Sequence, residues 1–142
     1  MSPSSANEAS RPVRMVFTSR AGGASSSPYD SFNLADHVGD DPADVAANRE
    51  RLARILGIGD IVWMEQIHSP NVTVVDGPQE TPVEATDALV TTQRGLALAV
   101  LVADCVSVLL ADHVHGVVAA AHAGRMGARN GIIPRTVEKM VE

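Results

Sequence analysis

The stretch LALAVLVADCVSVLLADHVHGVVAAAHAGRMGARNG, residues 96–131, carries three apolar runs of strand length in close succession. Leu96–Ala103, Val106–Ala111 and Gly116–Ala121 are continuous rather than alternating, the pattern of strands covered on both faces. They predict a central sheet. Polar residues fall where the runs break or end: Asp104 and Cys105 interrupt the first two, and His122 follows the third. Beyond His122, the glycine-rich turn AGRMGARNG leads into a helical segment, IIPRTVEKMVE. The turn has the character of an anion-cradling loop, since it follows a strand and precedes a helix. It fits neither the dinucleotide fingerprint nor the P-loop pattern.

Upstream of this stretch, Asp87–Thr91 reads as a further strand closed by the turn TQRG. Ile61–Ile67 and Val72–Val75 read as short strands separated by the turn-like HSPN, which puts His68 at a strand end. The clearest helix spans residues 42–56. Asp41 can accept from the free N-terminal amides, Pro42 suits the first helical position, and Asp44 complements the positive end of the dipole. Val45, Leu52, Ile55 and Leu56 share roughly one face, and Gly57 supplies a left-handed stop. Before the helix, SRAGGASSSPYDSF is a long loop of the kind that often carries function. Val13–Thr18 alternates enough to be a strand, and residues 1–11, rich in Ser, Ala and Pro, read as a disordered leader. The last helix reaches Glu142 without a Gly, Asn or Pro stop signal, and the buried-type strands have few helices to cover them. Residues 12–142 are therefore expected to be the N-terminal portion of a single domain, truncated at its C-terminal side.

Composition narrows the function classes. Eleven basic against 17 acidic residues give a net charge of −6 with no basic run, which argues against a nucleic-acid partner. The opening MSPSSANEASR lacks an apolar signal core, and the longest apolar stretch is far too short to span a bilayer. A cytoplasmic protein without a membrane partner is expected. Aromatic residues are only 3% of the chain, so the core must be built from Val, Leu, Ile and Ala. A lone cysteine excludes an internal disulfide and leaves Cys105 as either a small core residue or a useful thiol.

The five histidines are not equivalent. His113 and His115 lie in the DHVHG connection and read as exposed turn residues; His37, after the long loop, reads as a loop-positioning or helix-capping residue. His68 and His122 each terminate an apolar strand and precede a small or turn-forming residue, which leaves the ring accessible. With Cys105 they make a sound tetrahedral zinc set lacking one ligand. Two other readings use the same residues. Cys105 is a nucleophile with His122 or His68 as base, or it is core, with the histidines satisfied by backbone carbonyls.

The blocks TSRAGGASSSPYDSFNLADHVGDDPADVAANRERL, VWMEQIHSPNVTVVD, TDALVTTQRGLALAVLVADCVSVLLAD and GVVAAAHAGRMGARNG resemble, in order, the successive blocks of the laccase-domain family, also called YfiH-type or multicopper polyphenol oxidase. The resemblance runs from Arg14 to the end. It implies an α+β fold of α-β-β-α layers with mixed sheets, continuing past residue 142, and a mononuclear zinc site formed by His68, Cys105 and His122. It also implies that Asn33, Arg49, Gln66 and Asp104 line or support the pocket. One departure is local: the family usually has Trp-Arg after HAG, where this chain has Arg125 and Met126.

The family carries two descriptions, a copper-dependent phenol oxidase and a purine nucleoside enzyme. The second comprises phosphorolysis of adenosine, inosine and methylthioadenosine, and adenosine deamination. A multicopper oxidase needs a mononuclear copper and a separate cluster, which five histidines and one cysteine can hardly supply. Met64 or Met126 beside a His2Cys set would suit copper, but zinc is the expected metal. Its open position would lower the pKa of bound water to about 7 for attack on the purine ring. Purine nucleosides and phosphate are then the expected small-molecule partners. Arg49 is the expected anion partner, and Asp104 a proton shuttle or the residue that orients a ligand histidine. A metal-binding module without turnover is the third class.

Overall fold

The computed structural model describes residues 13–102, 106–124 and 131–141. The chain separates into two compact units, Val16–Gly59 and a larger one formed by Asp60–Glu142 with Met1–Met15.

The smaller unit is built on helix α1, Pro42–Leu56. The Asp41 carboxylate accepts from the Ala43 amide, Pro42 occupies the first turn, and Gly57 ends the helix at φ 67°, where its missing Cβ removes the left-handed penalty. The buried face is Val45, Asn48 and Leu52. Ile55, expected on that face, is 65% exposed. Its place in the interior is taken by polar Asn48, whose Oδ1 accepts from the Ala24 amide and whose Nδ2 donates to Ser25 Oγ and the Asn33 carbonyl. An uncompensated buried amide is costly, so the long loop is wound around this one side chain.

Gly23 is the tightest point of that winding. A Cβ there would stand 2.6 Å from both Asn48 Oδ1 and the Phe32 Cα, and closer still to the Ser31 carbonyl oxygen. Two of those neighbours are backbone and cannot swing aside. Gly23→Ala is expected to cost about 1–3 kcal/mol by overpacking. Gly59→Ala, where nothing lies within 4 Å, is the matched control. Equal thermal midpoints for the two variants would rule out the close approach.

The larger unit holds two sheets and one described helix. The strands are β1 Asp60–Val62, β2 Val72–Val74, β3 Ala88–Thr91, β4 Leu96–Leu98, β5 Val106–Asp112 and β6 Val117–Ala123, followed by α2, Ile132–Met140. One sheet has the order β2-β3-β6-β5; the other pairs β1 with β4 in parallel. In the larger sheet β2 joins β3 in parallel, while β3–β6 and β5–β6 are antiparallel. The fold is thus mixed helix and sheet with two sheets.

The period-two alternation of β3 divides the core. Leu89 packs with Val62, Met64 and Val75, with Leu96 and Leu98 alongside, which joins the two sheets. Ala88 and Val90 point the other way, Ala88 into a cluster with Ala121 and Ile132, and Val90 into one with Val117 and Ala119 that Met140 flanks. Ile132, Thr136 and Met140 recur every four residues, so α2 lays one face on the sheet.

Three strand expectations are corrected. Val13–Thr18 forms no strand; it has no ladder partner among the described residues, and Phe17 is 71% exposed. Ile61–Ile67 is strand only at Asp60–Val62, because Trp63 and Glu65 instead pair through their backbones with Val83. The Leu96–Ala103 run, described as far as Val102, belongs to the small sheet and is strand at Leu96–Leu98; at Leu101 the Gln66 side chain takes over the hydrogen bonds a neighbouring strand would make. Of the other two runs, β6 is largely buried, while β5, at the sheet edge, is only partly so. No helix among the described residues is long and apolar enough to cross a membrane.

Candidate metal centre

His122 does not follow its strand but lies inside it, opposite Ser107 of β5, because β6 runs on to Ala123. It is 3% exposed, and its Nδ1 stands 2.8 Å from Asp87 Oδ2. Asp87 immediately precedes β3 and is fully buried. The backbone amide of His122 also donates to the Asp87 carbonyl, at 2.7 Å, which continues the β3–β6 ladder and sets the two side chains on one face.

The other side of Asp87 is occupied by the turn that follows Gln66. Oδ1 accepts from the Ile67 amide, the Ser69 amide and Ser69 Oγ, and Oδ2 accepts from the His68 amide at 3.0 Å. Three successive amides converging on one anion make a nest, here filled by the protein's own carboxylate. Within it His68 adopts φ 62°, a left-handed conformation that a β-carbon disfavours and that the surrounding hydrogen bonds hold in place. Burial pushes the Asp87 carboxyl up, but the bonds from His122, Ser69 and Ile67 outweigh it and hold the group below the usual carboxylate range.

The result is that His68 and His122 meet edge to face, with ring centroids 5.0 Å apart. With His122 Nδ1 engaged by Asp87, Nε2 is the nitrogen left for a ligand. Two neighbouring imidazoles, one of them backed by a carboxylate, suit zinc or copper. Among the described residues no three His, Cys, Asp or Glu side chains group closely enough to hold a metal. The third predicted ligand, Cys105, lies outside the described residues, as do Asp104, Arg125 and Met126. Val106, the residue after Cys105, opens β5 opposite Ala123, the neighbour of His122.

The remaining predicted residues serve their surroundings. Both ends of the Gln66 amide bind the Leu101 backbone, donating to its carbonyl at 2.7 Å and accepting from its amide at 2.8 Å. In the smaller unit, Asn33 bonds Ala35 and Asp40, and Arg49 donates to the Leu34 carbonyl, with Asp36 3.7 Å away. Burial lowers the Arg49 pKa from its ordinary value against the pull of Asp36. His37 is exposed beside Asp36 and does not cap α1, and His115 is an exposed turn residue bonded to Asp112. Asp87 was not singled out from the sequence. The one local signal is an acid directly ahead of the apolar triplet Ala88–Val90, where a carboxylate needs several donors to be buried.

Asp40 gathers the loop of the smaller unit by accepting from Ser25 Oγ, Asn33 Nδ2 and the Asp41 amide. The Ser25 hydroxyl lowers its pKa most; burial opposes this, and Asn33 and the Asp41 amide add to the lowering. A depressed folded-state pKa gives stabilisation that is present above the unfolded value, about 3.9, and is lost as pH falls through the lower folded value. Amide protection over residues 25–41 is therefore expected to fall below about pH 4. Unchanged protection factors across that range would refute this role for Asp40.

The fold and the histidine pair define a YfiH-type protein. YfiH of Bacillus licheniformis superimposes with a TM-score of 0.79 at 33% identity, over 87% of this chain and 50% of that one. YlmD of Geobacillus stearothermophilus gives 0.75 at 38% identity, over 80% and 46%. The chain belongs to the family described as multi-copper polyphenol oxidoreductase laccase, whose profile matches residues 14–142. Among curated relatives it is similar to a purine nucleoside phosphorylase of Corynebacterium glutamicum, 68% identical over 93% of this chain and 55% of that protein. It is also similar to one of Mycobacterium tuberculosis, 54% identical over 91% and 52%. The chain thus spans about half the length of the curated relatives it matches.

Proposed function

We propose that this chain carries the metal-binding half of a purine nucleoside enzyme, one that uses zinc for phosphorolysis of adenosine, inosine and methylthioadenosine and for adenosine deamination. The observation that carries the reading is the meeting of His68 and His122 over the buried Asp87. The names of the 68% and 54% identical relatives support phosphorolysis as the principal reaction.

When bound, zinc would supply Lewis-acid polarisation and an activated water. The protein residues supply the rest. Asp87 holds the His122 ring by its Nδ1, the 67–69 turn carries His68 at a fixed backbone angle, and Gln66 binds the segment ahead of Asp104 and Cys105 in the sequence. Cys105 is proposed as the third ligand. In phosphorolysis a phosphate oxygen forms a bond to the ribose carbon as the bond to the purine nitrogen breaks, and the purine leaves carrying the proton that the attacking phosphate gives up.

The family's description as a multi-copper oxidoreductase points instead to phenol oxidation. Ligand count weighs against it, since His115 is exposed in the β5–β6 turn and bonded to Asp112, and His37 is an exposed residue of the smaller unit beside Asp36. The test is metal content by mass spectrometry beside turnover of adenosine and inosine with and without phosphate. One zinc per chain, with free purine appearing only when phosphate is present, is the expected result. Several coppers with phenol oxidation would overturn it, and zinc without turnover of nucleosides would leave a metal-binding module.

A further inference from the structure

We infer that Asp87 is the positioning residue for both histidines: through one carboxylate it selects the His122 tautomer that offers Nε2 outward and fixes the turn that presents His68. The inference rests on the metal-site reading above. Its basis is the full set of five hydrogen bonds on a fully buried carboxylate, three on Oδ1 from Ile67 and Ser69 and two on Oδ2 from the His68 amide and His122 Nδ1.

The two roles meet on Oδ2. Four donors from residues 67–69 already point at the Asp87 oxygens, so Asp87 is the acceptor in the 2.8 Å contact, His122 Nδ1 donates, and Nε2 is the ring nitrogen left for a metal. The same oxygen accepts the amide of His68, the residue held at φ 62°. A side chain that served only the turn would need no contact with His122. One that served only His122 would need no contact with residues 67–69.

Asp87→Asn inverts the donor at the Oδ2 position, which acts on the His122 tautomer and on the His68 amide together. If its amide oxygen stays toward Ile67 and Ser69, its NH2 group faces the His68 amide and His122 Nδ1. His122 must then accept at Nδ1 and carry its hydrogen on Nε2, which closes the nitrogen meant for the metal. The opposite amide orientation sets the NH2 group against the two amides of Ile67 and Ser69 and is worse. Ser69→Ala is the companion variant, since it removes one hydroxyl bond from the turn and leaves the His122 contact intact.

The experiment records nitrogen shifts of the histidine rings in metal-free protein near neutral pH, and zinc dissociation constants by chelator competition, for the parent chain and both variants. Expected is Nδ1–H on His122 in the parent and in Ser69→Ala, Nε2–H in Asp87→Asn, and zinc affinity lowered about 10–100-fold in Asp87→Asn and by clearly less in Ser69→Ala. An unchanged tautomer in Asp87→Asn, or an equal loss of zinc in Ser69→Ala, would overturn the inference. If the parent binds no zinc, the metal reading fails by itself, and tautomer inversion in Asp87→Asn still supports the positioning role.

Discussion

Leu89→Ala is expected to remove about 2–5 kcal/mol of folding stability, since truncating a buried leucine loses its transfer free energy and leaves a cavity that neighbours fill only partly. The site is unfavourable for collapse. Leu89 lies in a central strand, fully buried, and bridges the two sheets by packing against Val62, Met64 and Val75. Their backbones are tied down, Val62 in the ladder with Leu98, Met64 in a bridge with Val83 and Val75 through its amide to the Val90 carbonyl, which limits movement toward the gap. Against a typical stability of about 5–15 kcal/mol, the loss would unfold a marginal domain. Val74→Ala, at an exposed position in edge strand β2, should stay within about 0.5 kcal/mol. Urea midpoints at unchanged slope measure both. A Leu89→Ala loss below about 1 kcal/mol would mean that the sheets do not pack through this residue.

His122→Ala is expected to abolish tight zinc binding, with a loss above the roughly 10–100-fold expected when only a supporting partner is changed. It should also destabilise the metal-free protein by about 1–3 kcal/mol, because the buried Asp87 carboxylate loses a hydrogen-bond donor that water cannot easily replace. These effects are separable, since zinc affinity and metal-free stability are measured independently. His115→Ala is the contrast, for that ring is exposed and bonded to Asp112 in the β5–β6 turn. Equal zinc binding by the parent and His122→Ala would remove this histidine from the site.

What was legible in the sequence was local. Helix α1 could be bounded at both ends because Asp41, Pro42 and Gly57 act on atoms within a few residues of themselves. The runs at 106–111 and 116–121 marked β5 and β6 by their strand length, though only β6 has the burial that a continuous apolar string implies. His68 and His122 were chosen for their places after apolar runs, and the fold does bring their rings together. Asp87 was hidden because its donors come from residues 67–69 and 122, none adjacent in the chain. The same holds for Gln66, whose amide reaches Leu101, and for Asn48, whose partners lie in the loop ahead of α1. The run at 96–103 misled because its apolar character reports burial and says nothing about which strand supplies the partner.

The Asp87 carboxylate also joins parts of the chain that lie far apart in sequence. It ties the turn at residues 67–69 to the start of β3 and to β6, and its contact with His122 spans a sequence separation of 35. Such a contact carries a larger loop-closure entropy than the β5–β6 pairing, whose strands are joined by a short turn. A nascent chain whose β3–β6 register has slipped by one residue would turn His122 to the opposite face of the sheet. Metal uptake would then report on the finished register, and misfolded copies would remain metal-free.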